Sequence, residues 1–230
     1  PCGSFFSFIT FQYLFFILFL QPMLTEKIIL PTAYFPPVSW MAAALKASEI
    51  LIETQETYPK QTIRNHCNIL TANGILKLSV PVSKPFGNQT KTHQVKVLYQ
   101  DNWPQKHFRA IESAYNNSPY YQYYASHFQR FFMLRFDLLT DLNAEALALV
   151  NKLLKTEMSL NYTENWEPNH RSAPDYRFLP ENNSQWGLEN QTPYIQVFSD
   201  RFEFFQNPSV LDVIFNLGPR STGYHKSVNT

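Results

Sequence analysis

The chain has 230 residues, 44% hydrophobic and 16% charged, and its 19 basic side chains are balanced by 18 acidic ones. That length can bury a full core as one domain. The near-zero balance excludes nucleic acid or an anionic membrane as a bulk partner. Two cysteines, Cys2 and Cys67, make no disulfide framework, so a reduced, cytoplasmic setting is expected.

The stretch from Phe5 to Leu20 runs 16 residues without a charge. It falls short of the roughly 20 that span a bilayer, and it lacks a basic leader and a small-residue cleavage site. Residues 1–22 are read as an apolar extension outside the native fold, with a membrane anchor as the alternative. A single domain without an integral membrane span is expected over residues 23–220, followed by a frayed tail at 221–230.

From Lys27, KIILPT has the short apolar pattern of a strand. Pro36-Pro37 suits a first helical turn, where a missing N–H costs nothing, and the Ala-rich VSWMAAALKA continues as a helix. After Ser48, EILIE makes a second strand. A polar segment, Lys60 to Thr71, precedes the Asn73-Gly74 turn. ILKLSVPV and QVKVLY add strands on either side of a polar loop around Pro85 to Thr92. This β-α-β-α-β rhythm predicts an α/β fold: a mostly parallel, Rossmann-like sheet with flanking helices and a helical C-terminal half.

The middle of the chain is helical by pattern. Asn102-Trp103-Pro104 opens a helix with Phe108, Ile111 and Tyr115 at helical spacing, and Ser118-Pro119 breaks it before YYQYYASHFQRFFMLRF. A third helix from about Thr140 carries an apolar stripe of Leu142, Leu147, Val150, Leu153 and Leu154. The aromatic density between Tyr115 and Phe136 is expected to be helix packing. Tyr162 to Pro193 is polar, contains prolines and has no clear periodicity, as a lid, a binding loop or disorder would be. The last element is a short helix with Asn207 as cap, Pro208 in its first turn, and Gly218-Pro219 at its end.

Several common chemistries are missing. The six glycines build no phosphate-binding loop, no C-x-x-C or H-E-x-x-H offers metal ligands, and no G-x-S-x-G marks a serine hydrolase. No metal site is expected, and the sequence names no cofactor. Cys67, among Asn68, Ile69 and Leu70, reads as a small packed hydrophobe. What stands out is the run carrying Tyr58, Lys60, Gln61, Arg64 and Asn65. If it is helical, Lys60 and Arg64 share a face, as do Gln61 and Asn65. Two adjacent cations need an anion between them, from Glu56 or from a ligand's phosphate or carboxylate; a solvated face is the alternative.

YFPP-x-SW (Tyr34 to Trp40), Tyr58-x-Lys60-Gln61-x-x-Arg64-Asn65 and the following LTANG resemble the WbqC-like family of bacterial proteins, whose genes often sit among those for O-antigen and other surface polysaccharides. QVF (Gln196 to Phe198) and NPSVLDVIFNLGP (Asn207 to Pro219) fit the same pattern, so the resemblance runs from Pro31 to Pro219. It implies an enzyme of surface-polysaccharide assembly that transfers a glycyl or other acyl group to an amino sugar. The partners expected are a nucleotide-activated or lipid-linked amino sugar, an acyl donor and other polysaccharide enzymes. A non-catalytic nucleotide-sugar-binding or scaffold protein is the alternative.

The substrate-binding candidates are Tyr34, Ser39, Tyr58, Lys60, Gln61, Arg64, Asn65, Asp175 and Arg177. Ser39 enters because a helix N-terminus at the first βα turn offers free N–H groups to an anion. Nucleotidyltransferases with paired histidines bind there, but those histidines are absent from this sequence. Asp175 and Arg177 either reach the site from the long loop or pair with each other. A transfer to an amine also needs a proton acceptor, for which His66, His107 and Glu56 are the candidates.

Overall fold

A computed structural model describes residues 27–168, 173–177 and 191–228. The apolar extension and most of the Tyr162–Pro193 stretch lie outside the described residues. The α/β class holds, with the parallel part smaller than expected. β1 (Ile28–Pro31), β2 (Ile50–Glu53) and β7 (Leu160–Tyr162) form a three-stranded parallel sheet in the order β1-β2-β7. Ile28 lies opposite Ile50, and Ile50 opposite Leu160.

A wide Rossmann-like sheet is not what the remaining strands build. β3 (His66–Thr71) and β4 (Gly74–Ser79) fold back on each other antiparallel, as do β5 (Val82–Ser83) and β6 (Lys96–Val97). The cause is local. A two-residue connection at Ala72-Asn73 can only return the chain antiparallel, whereas joining the parallel sheet would require a longer crossover.

The first helix, α1 (Val38–Lys46), is buried along most of its length because its residues are small and apolar. Its own N-cap position is Pro37, which offers no side-chain acceptor. Asn207, 168 positions along the chain, fills that role: its Oδ1 accepts the Ser39 N–H at 2.9 Å. Asn207 therefore does not cap the helix that follows it. That helix, α5 (Val210–Leu217), starts after Ser209, whose hydroxyl accepts from Leu211 N–H. Asn207 sits in the left-handed backbone region at φ 52°, which turns its side chain away from α5 and toward α1.

α5 is buried on nearly every side and lies at the centre of the helical layer, against α1, β3, α3 (Tyr121–Met133) and α4 (Leu139–Leu154). Phe215 joins the aromatic packing, with ring centroids 5.0 Å from Tyr115, at the end of α2 (Trp103–Tyr115), and 5.1 Å from Phe128. Asp212 on the same helix is buried. Its carboxylate accepts from the hydroxyls of Tyr115 at 3.1 Å and Tyr194 at 2.5 Å, and from Gln196 Nε2 at 3.1 Å. The QVF and NPSVLDVIF blocks of the sequence therefore hold each other. Gly218 ends α5 with φ 53°, and a Cβ there would meet the Tyr120 ring at 2.4 Å, so only glycine fits.

The tail beyond Arg220, expected to fray, forms a further helix, α6 (Ser221–Ser227), packed on α1. Its anchor is His225, fully buried. Lys46 at the end of α1 also donates from Nζ to the Val228 carbonyl. Among the described residues, no helix is long and apolar enough to cross a membrane.

Burial holds His225 down at about 3 and His107 at about 4. Both are neutral in the fold, while the unfolded chain protonates near 6.5. Between these values the unfolded state binds more protons, so stability is present above pH 6.5 and is lost as pH falls. Denaturant unfolding at pH 7 and pH 5 should differ by about 2 kcal/mol for each histidine. His225→Leu, which cannot take a proton, should remove about half of that difference.

Candidate functional site

The three parallel strands end together, and the residues just past their carboxyl ends form a buried ionic cluster. β2 closes on Glu53, which is fully buried. Its Oε1 accepts the N–H groups of Gln55 at 2.6 Å and Glu56 at 3.1 Å, together with the Thr163 hydroxyl at 2.9 Å. Its Oε2 receives Arg177 Nη1 at 2.7 Å. One carboxylate thus caps the turn after β2, ties it to the end of β7, and neutralises an arginine.

Arg177 comes from the segment that lies against β1, where Tyr176 N–H donates to Ile29 C=O at 2.9 Å and Asp175 bridges Ile29. Its guanidinium also grips Asp175, from Nε at 2.9 Å and Nη2 at 2.6 Å. A second pair stands beside the first. Arg64 Nε and Nη2 donate to the two oxygens of Glu56 at 2.5 Å and 2.9 Å, and both side chains are about 4% exposed. Arg64 Nη2 reaches the Arg177 carbonyl at 3.3 Å, which joins the two pairs into one network. Burial pushes the Glu56 carboxyl above its ordinary range, and Arg64 opposes that shift.

The condition for Lys60 and Arg64 to share a face, a helix over this run, is not met. Residues 60–65 are bends and a single turn, with Gln61 in the left-handed region at φ 54°. The left-handed residue breaks the helical path, so Lys60 and Gln61 point to solvent while Arg64 turns inward. Of the two anions considered for Arg64, the protein supplies one itself, from Glu56. Asn65 donates from Nδ2 to the Val80 carbonyl at 3.2 Å, which joins the turn to the end of β4.

The remaining candidates are spread more widely. Tyr58 is 6% exposed, and burial raises its hydroxyl to about 12. Tyr34 and His107 stand together in an aromatic cage: the Tyr34 hydroxyl lies 3.0 Å from His107 Nδ1, and Trp103 packs on the imidazole. Burial holds His107 low, and its ring also meets the Ser79 backbone. His66 is buried at the start of β3, and Ser39 is buried under the Asn207 contact. The cluster therefore unites Glu56, Arg64, Asp175 and Arg177, with Lys60 and Gln61 on the same loop.

Four cluster residues were not anticipated: Glu53, Thr163, Thr32 and Asn143. Asn143 on α4 donates from Nδ2 to the Arg64 carbonyl at 2.8 Å and to the Thr32 hydroxyl at 3.1 Å. Only Glu53 left a signal, as a carboxylate ending the otherwise apolar strand ILIE. Among the described residues, no group of three or more His, Cys, Asp or Glu is placed to hold a metal ion.

The architecture is that of an α/β protein with a buried network of ion pairs at the carboxyl ends of its parallel strands, the end of open α/β sheets where ligands commonly bind. The chain matches the sequence model of the WbqC-like protein family over residues 32–185, more than half its length, and belongs to that family. No curated protein and no solved structure gave a match.

Arg64→Met should leave Glu56 as a buried charge without its partner, costing about 3–5 kcal/mol in urea unfolding at neutral pH. Arg64→Met combined with Glu56→Gln removes both charges and should recover most of that loss. Equal destabilisation in the single and double variants would show that the pair is not coupled.

Proposed function

We propose that this protein is an enzyme of surface-polysaccharide assembly that transfers an acyl group, glycyl in the reading favoured by the family, to the amine of an amino sugar. The observation that carries it is the composition of the buried cluster: Glu53, Glu56 and Asp175 stand against Arg64 and Arg177, three carboxylates to two guanidiniums. The excess charge is negative. That favours an amine at the site over a phosphate, and it gives the amine's proton a place to go.

In this reading the amine nitrogen attacks the carbonyl carbon of an activated acyl donor. The new C–N bond forms, the bond to the donor's leaving group breaks with its electron pair, and the amine's proton passes to Glu56. A carboxylate whose affinity for a proton is raised by burial serves as such a base at neutral pH better than an exposed one does. Arg64 orients Glu56 and stabilises its charged form before reaction. Lys60, exposed on the same loop, is the residue that meets a phosphate of a nucleotide-activated or lipid-linked sugar.

A second reading rests on a different observation. Both arginines are fully engaged by carboxylates of the protein itself, which is also what a rigid, non-catalytic recognition scaffold requires. Turnover separates the two readings. The full chain, incubated with nucleotide-activated amino sugars and a panel of acyl thioesters and aminoacyl esters, should give a mass shift on the sugar. Glu56→Gln should slow that turnover by about 10²–10⁴. Lys60→Met should weaken sugar binding while costing no more than about 0.5 kcal/mol of stability. Binding without product across the panel would favour the scaffold.

A further inference from the structure

Among the described residues, the outer edge of the β3–β4 hairpin leaves part of its backbone hydrogen bonding unused. The pair just beyond the ladder fixes its parity, for Val80 N–H donates to Asn65 C=O at 2.8 Å. Hydrogen-bonded pairs alternate along an antiparallel ladder. Cys67 with Leu78, Ile69 with Leu76 and Thr71 with Gly74 therefore exchange bonds across the hairpin. The backbone groups of Ile75, Lys77 and Ser79 point the other way.

Ser79 is occupied, because its backbone meets His107. On the far edge of β3, Asn68 C=O accepts Ser209 N–H at 3.0 Å, and the Leu70 backbone meets the Tyr115 side chain. Among the described residues, Ile75 and Lys77 have no backbone partner beyond β3. The same edge exposes apolar surface, with Ile75 61% and Leu76 39% accessible. Open N–H and C=O groups flanked by exposed apolar side chains are a template for strand addition.

We propose that β4 pairs with β4 of a second copy of this chain, antiparallel and centred on Leu76, joining two hairpins into one four-stranded sheet. The strand is complementary to itself in this register. Ile75 and Lys77 of one copy exchange N–H and C=O bonds with Lys77 and Ile75 of the other, and the two Leu76 side chains pack face to face. Centring on Lys77 would oppose two like charges. Centring on Ile75 would set Lys77 against the turn residue Asn73, where no ladder continues. A six-residue edge is small beside the roughly 1,200–2,000 Å² of stable interfaces, so the dimer is reversible, with dissociation on the order of micromolar.

Sedimentation equilibrium of the full chain from nanomolar to high micromolar concentration should show a reversible monomer–dimer transition. Lys77→Pro removes an N–H that the hairpin does not use, and proline is tolerated at an edge facing outward. It should weaken dimerisation by at least about tenfold with an unchanged melting temperature. Cross-linking tests the register without relying on that variant. Facing Leu76 Cα atoms in a non-hydrogen-bonded pair lie about 4.5 Å apart, within disulfide reach, so Leu76→Cys should cross-link on mild oxidation. Ile75→Cys should not, since its copy lies about 8–9 Å away across the diagonal. A monomer at every concentration overturns the proposal, as does cross-linking through Ile75→Cys as readily as through Leu76→Cys.

Discussion

A single buried carboxylate organises the site. Glu53 receives two backbone N–H groups, a threonine hydroxyl and a guanidinium, and these come from three separate parts of the chain. An unpaired carboxylate at that depth would be too costly to keep ionised. The fold meets the cost by bringing Arg177 across from the β1 side and Thr163 from the end of β7. The requirement to satisfy Glu53 thus fixes where the turn after β2 goes, and that turn carries Glu56. Glu56 in turn needs Arg64, so the position of the polar loop follows from the same demand.

The order of charges along this network bears on function. Buried ion pairs add little net stability compared with apolar packing of the same volume, yet breaking one is expensive. Their presence at the carboxyl ends of parallel strands is therefore poorly explained by stability alone. In the proposed reading, a network that fixes three carboxylates and two guanidiniums in one geometry serves as a preorganised environment for the reacting amine. Elsewhere in the fold, the aromatic layer around Phe128 and Phe215 and the Asp212 hydrogen bonds hold α5 in place, and Asn207 caps α1.

Where local pattern and fold agree, the sequence was readable. β1, α1 and β2 follow from an apolar run, a proline-marked turn and an alanine-rich helix, and each lies close to where its residues put it. The parallel sheet is smaller than the β-α-β-α-β rhythm predicts because the turn at Asn73-Gly74 returns the chain antiparallel. Whether the run from Lys60 to Asn65 is helical stays open in the sequence, because nothing in its composition announces a left-handed residue at Gln61. Arg64 stands out in the sequence, but its partner stays open there between Glu56 and a ligand, since eight positions of separation in an irregular loop do not fix a contact. Asn207 reads locally as the cap of the helix that follows it, and its target, Ser39, lies 168 positions away. Asn143 and Thr163 gave no sign at all, because each is an ordinary polar residue whose role exists only through tertiary contact.

The claim that the buried cluster is both preformed and the place where ligand acts can be measured on the arginine side chains. Side-chain Nε–H resonances report protection and ligand contact in one NMR experiment on the full chain. Arg64 and Arg177, each held by a carboxylate, should give sharp, slowly exchanging signals, unlike the exposed Arg109 or Arg130. Titration with a nucleotide-activated amino sugar should move the Arg64 resonance, with Arg177 following. Fast exchange at Arg64 and Arg177, or ligand shifts confined to residues far from the strand ends, would contradict the account.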